Sequence, residues 1–371
     1  MAIPTTPVGA LERELLGAAR VGDQDAYRRL VEPHRRELHA HCYRMMGSVH
    51  DAEDALQDAL LRAWRGLPRF QGRSSLRSWL YKIATNACLN ALARRPKRVL
   101  PIDHGAAADP HDVPGTPLVE STWVEPYPDE PLGLEDGLAG PAARYEGRES
   151  VELAFVAALQ HLPPNQRAAL ILREVLGFSG RETAEALDTT VAAVNSAMQR
   201  ARKAVDERLP ERSQQATLRA LGDQRLREVV ELYMDAMGRG DVDAVVALLA
   251  QDAAWSMPPL ASWYHGRDEL AIFLANAPLN GTWHWRHVAA RANGQAAVGT
   301  YISHGADGPH HAFSLDVLTL RGAQIADITS FITRTTDLPD GATFLQWPDQ
   351  PDDPRRLELY FERFGLPVRL G

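Results

Sequence analysis

Two groups of side chains have types and spacings that could do chemistry on a nucleic acid. The first lies between Val191 and Val205. Val191, Val194, Met198, Ala201 and Val205 recur at 3-4-3-4 spacing, the buried stripe of one helix. The opposite face then carries Ala192, Ser196, Gln199, Arg200 and Lys203. Small, amide and basic side chains on a compact helix are what a major-groove reader needs. An ordinary helical hairpin in a larger core has the same spacing, so periodicity leaves both readings open. The second group is Phe70, Trp79 and Tyr81 interleaved with Arg73, Arg77 and Lys82. Cations that track phosphate between rings that hold unstacked bases suit single-stranded or distorted DNA. Trp79 and Ile83, at i and i+4, suit a core equally well.

These groups need elements to hold them. Phe178 to Leu187 reads as a helix capped by Ser179, and Asp188-Thr189-Thr190 as the polar turn before the helix opened by Val191. Asp51 to Trp64 is a strongly amphipathic helix, with Leu56, Leu60, Ala63 and Trp64 facing a core and acidic residues in its first turn. Gln71-Gly72 breaks that run, and Ser74 or Ser75 can cap the next helix. This helix exits at Arg94-Arg95-Pro96-Lys97-Arg98, a basic end suited to phosphates or simply to the helix dipole. Residues 101–149 hold Pro101, Pro110, Pro114, Pro117, Pro126, Pro128, Pro131 and Pro141, are acidic, and lack amphipathic period, so they read as a linker. Beyond 221, two helices (Arg225 to Gly238, Asp241 to Leu249) precede a strand at Asp252 to Met257, a helix at Gly266 to Ala275, and strands from Trp283, Ala296, Ala312 and Gln324. Turns fall at Asn293-Gly294 and Arg321-Gly322. Helices followed by antiparallel strands predict an α+β layer.

The chain has 371 residues, enough for two or three domains, and a net charge of −8. That charge is uneven. It is positive up to residue 103, strongly negative over 104–149, balanced over 150–214 and negative thereafter. One part is therefore suited to DNA and another is not. No apolar run reaches the length of a membrane span, and the N-terminus lacks a signal pattern, so a cytoplasmic protein with no membrane contact is expected. Cys42 and Cys88 fall in separate helical patterns, with no His or Cys at metal spacing. They are expected as buried free thiols, with no metal and no cofactor.

Three segments in order, DAEDALQDALLRAW, FQGRSSLRSWLYKIATNACLNALARR and LPPNQRAALILREVLGFSGRETAEALDTTVAAVNSAMQRARKA, resemble the two domains of an extracytoplasmic-function (ECF) sigma factor of bacterial RNA polymerase. The resemblance implies a role for each. The acidic helix would dock on the clamp of the largest polymerase subunit through Glu53, Asp54, Gln57, Asp58 and Leu61. The next segment would open the minus-10 element through Arg73, Ser75, Arg77, Lys82 and Asn86. The last helix would read the minus-35 element through Asn195, Ser196, Gln199, Arg200 and Lys203. Implied partners are core RNA polymerase, including the flap of its second-largest subunit, and promoter DNA. Members often carry Lys or Arg where this chain has Asn195 and Ala197. Amide side chains pair best with adenine edges, so the minus-35 sequence should be atypical.

The C-terminal block resembles the SnoaL-like, nuclear-transport-factor-2-like (NTF2-like) cone fold, on YMDAMGRGDVDAVVALLAQDAAWSMPP, Trp263 to Leu270, NGQAAVGTY and the final strands. The linker's Trp123-Val-Glu-Pro-Tyr-Pro partly resembles a Trp- and Pro-containing motif of sigma factors that bear such a domain. The expected fold is multidomain. An all-α sigma region 2 domain (10–100), the linker (101–149) and an all-α region 4 domain with a helix-turn-helix (150–212) precede an α+β SnoaL-like domain (221–335) and a tail (336–371). Trp255, Trp263, Tyr264, Trp283 and Phe313 could line a pocket for a small apolar ligand. Relatives of the cone fold include isomerases and hydrolases with a carboxylate in the cavity, for which Asp252, Asp316 and His287 are the candidates here. Spacing fixes no acid–base pair among them, so the expectation is a promoter-specificity subunit regulated in cis, not an enzyme. The alternatives are a SnoaL-type isomerase or hydrolase fused to a DNA-binding region, and a regulator that binds DNA without polymerase.

Overall fold

The computed structural model describes residues 8–112, 114–115, 117–119, 122–129, 151–303, 305, 308–333 and 355–371. The helices are α1 (Val8–Arg20), α2 (Gln24–Met46), α3 (Val49–Gly66), α4 (Leu76–Leu92), α5 (Pro101–His104), α6 (Leu153–Gln160), α7 (Pro164–Leu170), α8 (Gly180–Ala186) and α9 (Val191–Asp206). Then come α10 (Gln214–Leu221), α11 (Asp223–Arg239), α12 (Val242–Leu248), α13 (Arg267–Asn276) and α14 (Arg355–Glu362). The strands are β1 (Leu249–Ser256), β2 (Trp263–His265), β3 (His284–Ala292), β4 (Gln295–Ser303), β5 (His310–Arg321), β6 (Gln324–Ile332) and β7 (Arg369–Leu370). They form two compact units, each made of two stretches of chain: residues 1–95 with 162–204, and residues 96–161 with 205–371. Among the described residues no helix is long and apolar enough to cross a membrane.

The first unit is all helical. Asp23 caps α2 by accepting from the Asp25 and Ala26 N–H groups, and Ser48 and Ser75 cap α3 and α4 in the same way. α2 ends at Gly47, whose φ of 69° favours a residue without Cβ. α3 turns Ala52, Ala55, Ala59 and Ala63 inward, and these small residues let it pack closely on α2 and α4. Leu56 is buried with them, while Leu60 and Trp64 are half-buried, Trp64 lying 5.0 Å from the Tyr27 ring. The His41 ring meets the Thr85 hydroxyl at 2.9 Å, and burial pushes its pKa down to about 3, so it stays neutral. Cys42 and Cys88 are both buried and free, and a hydrogen bond from Cys88 together with burial raises the Cys42 thiol well above its usual range. Sequence pattern placed them in separate helices; the packing of α2 on α4 brings them together.

The helix-turn-helix belongs to this unit. One π-helical turn over Ile171–Val175 extends α7, and Gly177, at φ 70°, reverses the chain. Ser179 and Glu182 form a reciprocal capping box at the start of α8, an arrangement that contributes about 1 kcal/mol. The stripe Val194, Met198, Ala201 and Val205 of α9 is buried, whereas Val191, expected in the same stripe, is exposed at the first turn. Buried Arg167 fastens α7, donating to the carbonyl oxygens of Met45 and, at 3.2 Å, Leu162.

The second unit is a seven-stranded sheet wrapped by helices. Its strand order is β2-β1-β6-β5-β4-β3, with β7 paired to β5. All neighbours are antiparallel except β1 and β6. α11 packs on β3 and β4, and α13 on β1 and β2. The β3–β4 hairpin closes through Asn293 (φ 56°) and Gly294 (φ 70°), the left-handed pair a two-residue turn requires. β2 and β7 were not anticipated: Trp263 to Leu270 reads as the approach to a helix, and the last residues read as helix only. The tail instead folds back over the sheet. Phe361 is buried beside Tyr301, and Leu366 occupies the space where a Cβ on Gly299 would come within 2.7 Å.

The stretch expected as a spacer is, where described, stitched to this unit. Val99 and Trp123 form a parallel bridge, and the buried Arg98 guanidinium donates to the Trp123 carbonyl at 2.6 Å. The Tyr127 N–H donates to Asn293 Oδ1 at 2.9 Å, and the Asn293 N–H returns a bond to the Tyr127 carbonyl at 2.8 Å. Asp129 accepts from Gly294 N–H at 2.7 Å and from Arg291 at 3.0 Å. Upstream, Trp263 Nε1 donates to the Gly105 carbonyl at 2.8 Å. α6 is anchored similarly: Glu152 accepts from the N–H groups of Gln214 (3.0 Å) and Gln215 (2.7 Å). Residues 130–150 lie outside the described residues.

Candidate nucleic-acid interface

α9 presents Asn195, Ser196, Gln199, Arg200 and Lys203 to solvent along one face, above the buried stripe. Helical periodicity puts them there: burying Val194 and Met198 stabilises the unit by about 1.5–3 kcal/mol each and fixes the helix rotation. Asp188 makes the preceding turn in the left-handed region, at φ 49°. Carboxylates and amides tolerate that conformation better than most side chains.

The basic and aromatic group is divided between packing and surface. Phe70 is buried and its ring lies 4.8 Å from the half-buried Trp79 ring. Tyr81 is buried at 1% exposure, donates to Glu37 at 3.2 Å, and its phenol is pushed above its ordinary range, chiefly by burial. These rings are structural. Arg73 and Ser75 are exposed at the start of α4, whereas Arg77, Lys82 and Asn86 are half-buried on its flank. The Arg77 guanidinium lies over the Tyr81 ring at 5.0 Å and the Phe178 ring at 5.1 Å. Lys82 Nζ donates to Asp188 Oδ1 at 2.6 Å and to the Glu185 carbonyl at 2.7 Å. Ser78 donates to Glu182 at 3.4 Å. Sequence reading did not foresee this contact of α4 with α8, since the partners lie more than 100 positions apart in the chain and no local pattern marks them.

On α3 the expected docking residues share an accessible face. Asp54, Gln57 and Leu61 are exposed, with Leu61 at 55%, while Glu53 and Asp58 are half-buried. Glu53 lies 3.5 Å from His39, Asp58 pairs with Arg62 at 2.7 Å, and Arg95 pairs with Asp51 and approaches Asp54 at 3.8 Å. An apolar leucine ringed by carboxylates and an amide suits a partner with cationic side chains around an apolar contact.

In the second unit Trp255 and Tyr264 are buried in the core, Trp283 and Phe313 are half-buried against it, and Trp263 is turned to the stitched segment. Of the three carboxylate and histidine candidates, Asp316 and His287 both neighbour Tyr233. Asp252 is exposed and paired with Arg321 at 2.8 Å. Asp316 is 2% exposed and accepts from Tyr233 (3.0 Å), Thr300 (3.1 Å) and Ser314 (2.8 Å), while burial raises its pKa. His287 is pushed down to about 4 by burial and lies beside Tyr233 at a ring distance of 6.5 Å. Tyr233 was missed because a tyrosine within an amphipathic helix reads as plain core. Among the described residues no cluster of His, Cys, Asp and Glu could hold a metal ion.

Residues 30–98 match the Sigma-70 region 2 family, residues 152–205 the Sigma-70 region 4 family, and residues 230–328 the SnoaL-like domain family. The chain is 41% identical over 320 residues to the ECF RNA polymerase sigma factor SigG of Mycobacterium tuberculosis, covering 85% of this chain and 83% of that protein. It is 32% identical over 191 residues to SigM of the same organism, covering 52% of this chain and 81% of that protein. The crystal structure of M. tuberculosis SigJ aligns with a TM-score of 0.50 and 25% identity, over 80% of this chain and 93% of that one. With two helical sigma regions in order and a SnoaL-like sheet domain behind them, the chain belongs to the ECF RNA polymerase sigma factors.

Proposed function

We propose that this sigma factor directs core RNA polymerase to a particular set of promoters, with α9 reading the minus-35 element and α4 the minus-10 element. The exposed α9 row of Asn195, Ser196, Gln199, Arg200 and Lys203 carries the reading: its amide and hydroxyl groups can bond base edges, and its cations can reach phosphates. Arg73 and Ser75 before α4, with Arg77, Lys82 and Asn86 on it, provide the second contact. Glu53, Asp54, Gln57, Asp58 and Leu61 on α3 provide the polymerase contact, at the clamp of the largest subunit, and the flap of the second-largest subunit receives the helix-turn-helix half. Two weak readers held at fixed spacing by polymerase gain affinity through linkage.

The SnoaL-like unit adjusts output in cis and holds a small apolar ligand near Trp255, Tyr264, Trp283 and Phe313. It performs no catalysis in this reading, since Asp316 is occupied by hydroxyl donors and Asp252 by Arg321. The chain works in the cytoplasm, where its polymerase is. The decisive experiment mixes the full chain with core polymerase and genomic DNA and maps transcript starts. New starts sharing two spaced elements are expected; none beyond those of core alone would sink the reading. Tight duplex binding without polymerase would favour an independent regulator.

A further inference from the structure

We infer that Val191 is a further specificity-determining residue of the minus-35 reader, taking the C5 methyl group of a thymine in the major groove. This rests on α9 being that reader. The spacing of α9 puts Val191 in the buried stripe, yet it is 44% exposed while Val194, Met198, Ala201 and Val205 are covered. The cause lies on α8. Val191 faces Gly180 there, its Cγ1 standing 3.4 Å from where a Cβ on that glycine would be. A glycine supports one methyl of the valine and has no side chain with which to cover the other. Val191, Asn195 and Gln199 follow at i, i+4 and i+8, so they form one row along the exposed edge of α9.

Recognition helices meet base edges chiefly through their N-terminal residues. The first turn of α9 is suited to apolar contact there. Val191, Ala192 and Ala193 are all exposed, and the turn carries no acidic residue. Its cap is a neutral hydroxyl: Thr190 Oγ1 accepts from the Ala193 N–H at 3.2 Å. A carboxylate in that place would repel DNA phosphates, and a hydroxyl does not. Thymine alone presents a methyl group in the major groove. A β-branched side chain has little rotamer freedom to lose on meeting it, the more so with one methyl already held against α8. The amides of the same row pair best with adenine. The row as a whole therefore selects A·T pairs, with Asn195 and Gln199 on adenine edges and Val191 on a thymine methyl.

The test uses holoenzyme formed with the full chain and duplex promoters found by transcript-start mapping. Each thymine of the minus-35 element is replaced singly by deoxyuridine, which removes the C5 methyl and leaves every hydrogen-bonding edge intact. One such replacement should weaken equilibrium binding by about three- to fourfold, the worth of one buried methyl. Val191→Ala should bind the thymine and deoxyuridine promoters alike. Val191→Thr, which keeps a branched side chain with one methyl, should retain part of the difference. Both variants change an exposed position and should melt with the parent. An element without thymine, or one in which no replacement weakens binding, overturns the proposal. So does a methyl effect that persists in full in Val191→Ala. Asn195→Ala and Gln199→Ala in the same assay report on the α9 reading separately. Altered base preference in either, without a methyl effect, leaves α9 as the reader and removes Val191 from it. Unaltered preference in both means the α9 reading itself fails.

Discussion

Gln199 and Lys203 share the exposed face of α9 yet should behave differently on substitution. An amide that pairs with a base edge specifies, whereas an ammonium on phosphate only holds. Gln199→Ala should lose about 1–3 kcal/mol of discrimination at one base pair and relax preference there. Lys203→Ala should weaken all promoters alike and lower the salt dependence by about one counterion. Binding of a promoter library by holoenzyme at several salt concentrations separates the two; identical profiles would remove the division of labour. On α3, Asp54→Ala should weaken polymerase binding and leave the SnoaL-like unit's melting unchanged, and unaltered polymerase affinity would count against the docking face. The α9 row could be read from sequence because a 3.6-residue period leaves little freedom once Val194, Met198 and Ala201 are buried. The partners of Lys82 could not, since Glu185 and Asp188 owe their position to how α4 packs on α8.

At the level of elements, β6 makes the clearest pH prediction. Asp327 is half-buried there, and desolvation pushes its carboxyl from 3.8 to about 7, against a Thr329 hydroxyl bond at 3.1 Å that lowers it. A carboxyl that holds its proton more tightly when folded favours folding below its unfolded pKa, and this contribution is lost as pH rises through about 7. Thermal stability should thus decline between pH 4 and 8, and Asp327→Asn should flatten the decline, with Asp316 leaving a residual slope of the same sign. An unchanged pH profile in the variant would exclude Asp327 as the cause. Sheet strands announced by alternation and by the Asn293-Gly294 turn were legible within a few residues. β2 and β7 were not: three and two residues are too short to show a period, and they exist because β1 and β5 offer them an edge. The bonds of Trp123, Tyr127 and Asp129 were hidden for a related reason. Proline and acid content disfavour a helix or a strand, but they do not prevent single residues such as Trp123, Tyr127 and Asp129 from bonding to a neighbour.

For the whole molecule, Asn293 joins three parts of one unit: it pairs with Tyr127, donates to the Val151 carbonyl at 2.7 Å, and turns the β3–β4 hairpin. Asn293→Gly keeps the turn and removes the side-chain bonds. It should make residues 98–129 cleavable by protease while the sheet remains folded, and change transcription output if that segment carries the regulatory signal. Protease resistance equal to the parent's would show that the remaining bonds suffice. A simple deletion from residue 215 onward is a poorer probe, because Glu152 and α6 would lose Gln215 and Gln295 as partners. The interleaving of the two units also sets an order of assembly on the ribosome. The first unit has its last residue at 204, so it can close while the sheet is still being made. Tyr127 and Asp129 must wait for Asn293 and Gly294, about 165 residues later, which at roughly 5–20 residues per second is a delay of about 10–30 s. Nascent chains stalled between these points should resist protease in the helical unit and be cut between 98 and 129. A newborn copy of this sigma factor would thus complete its helical unit before its SnoaL-like unit exists.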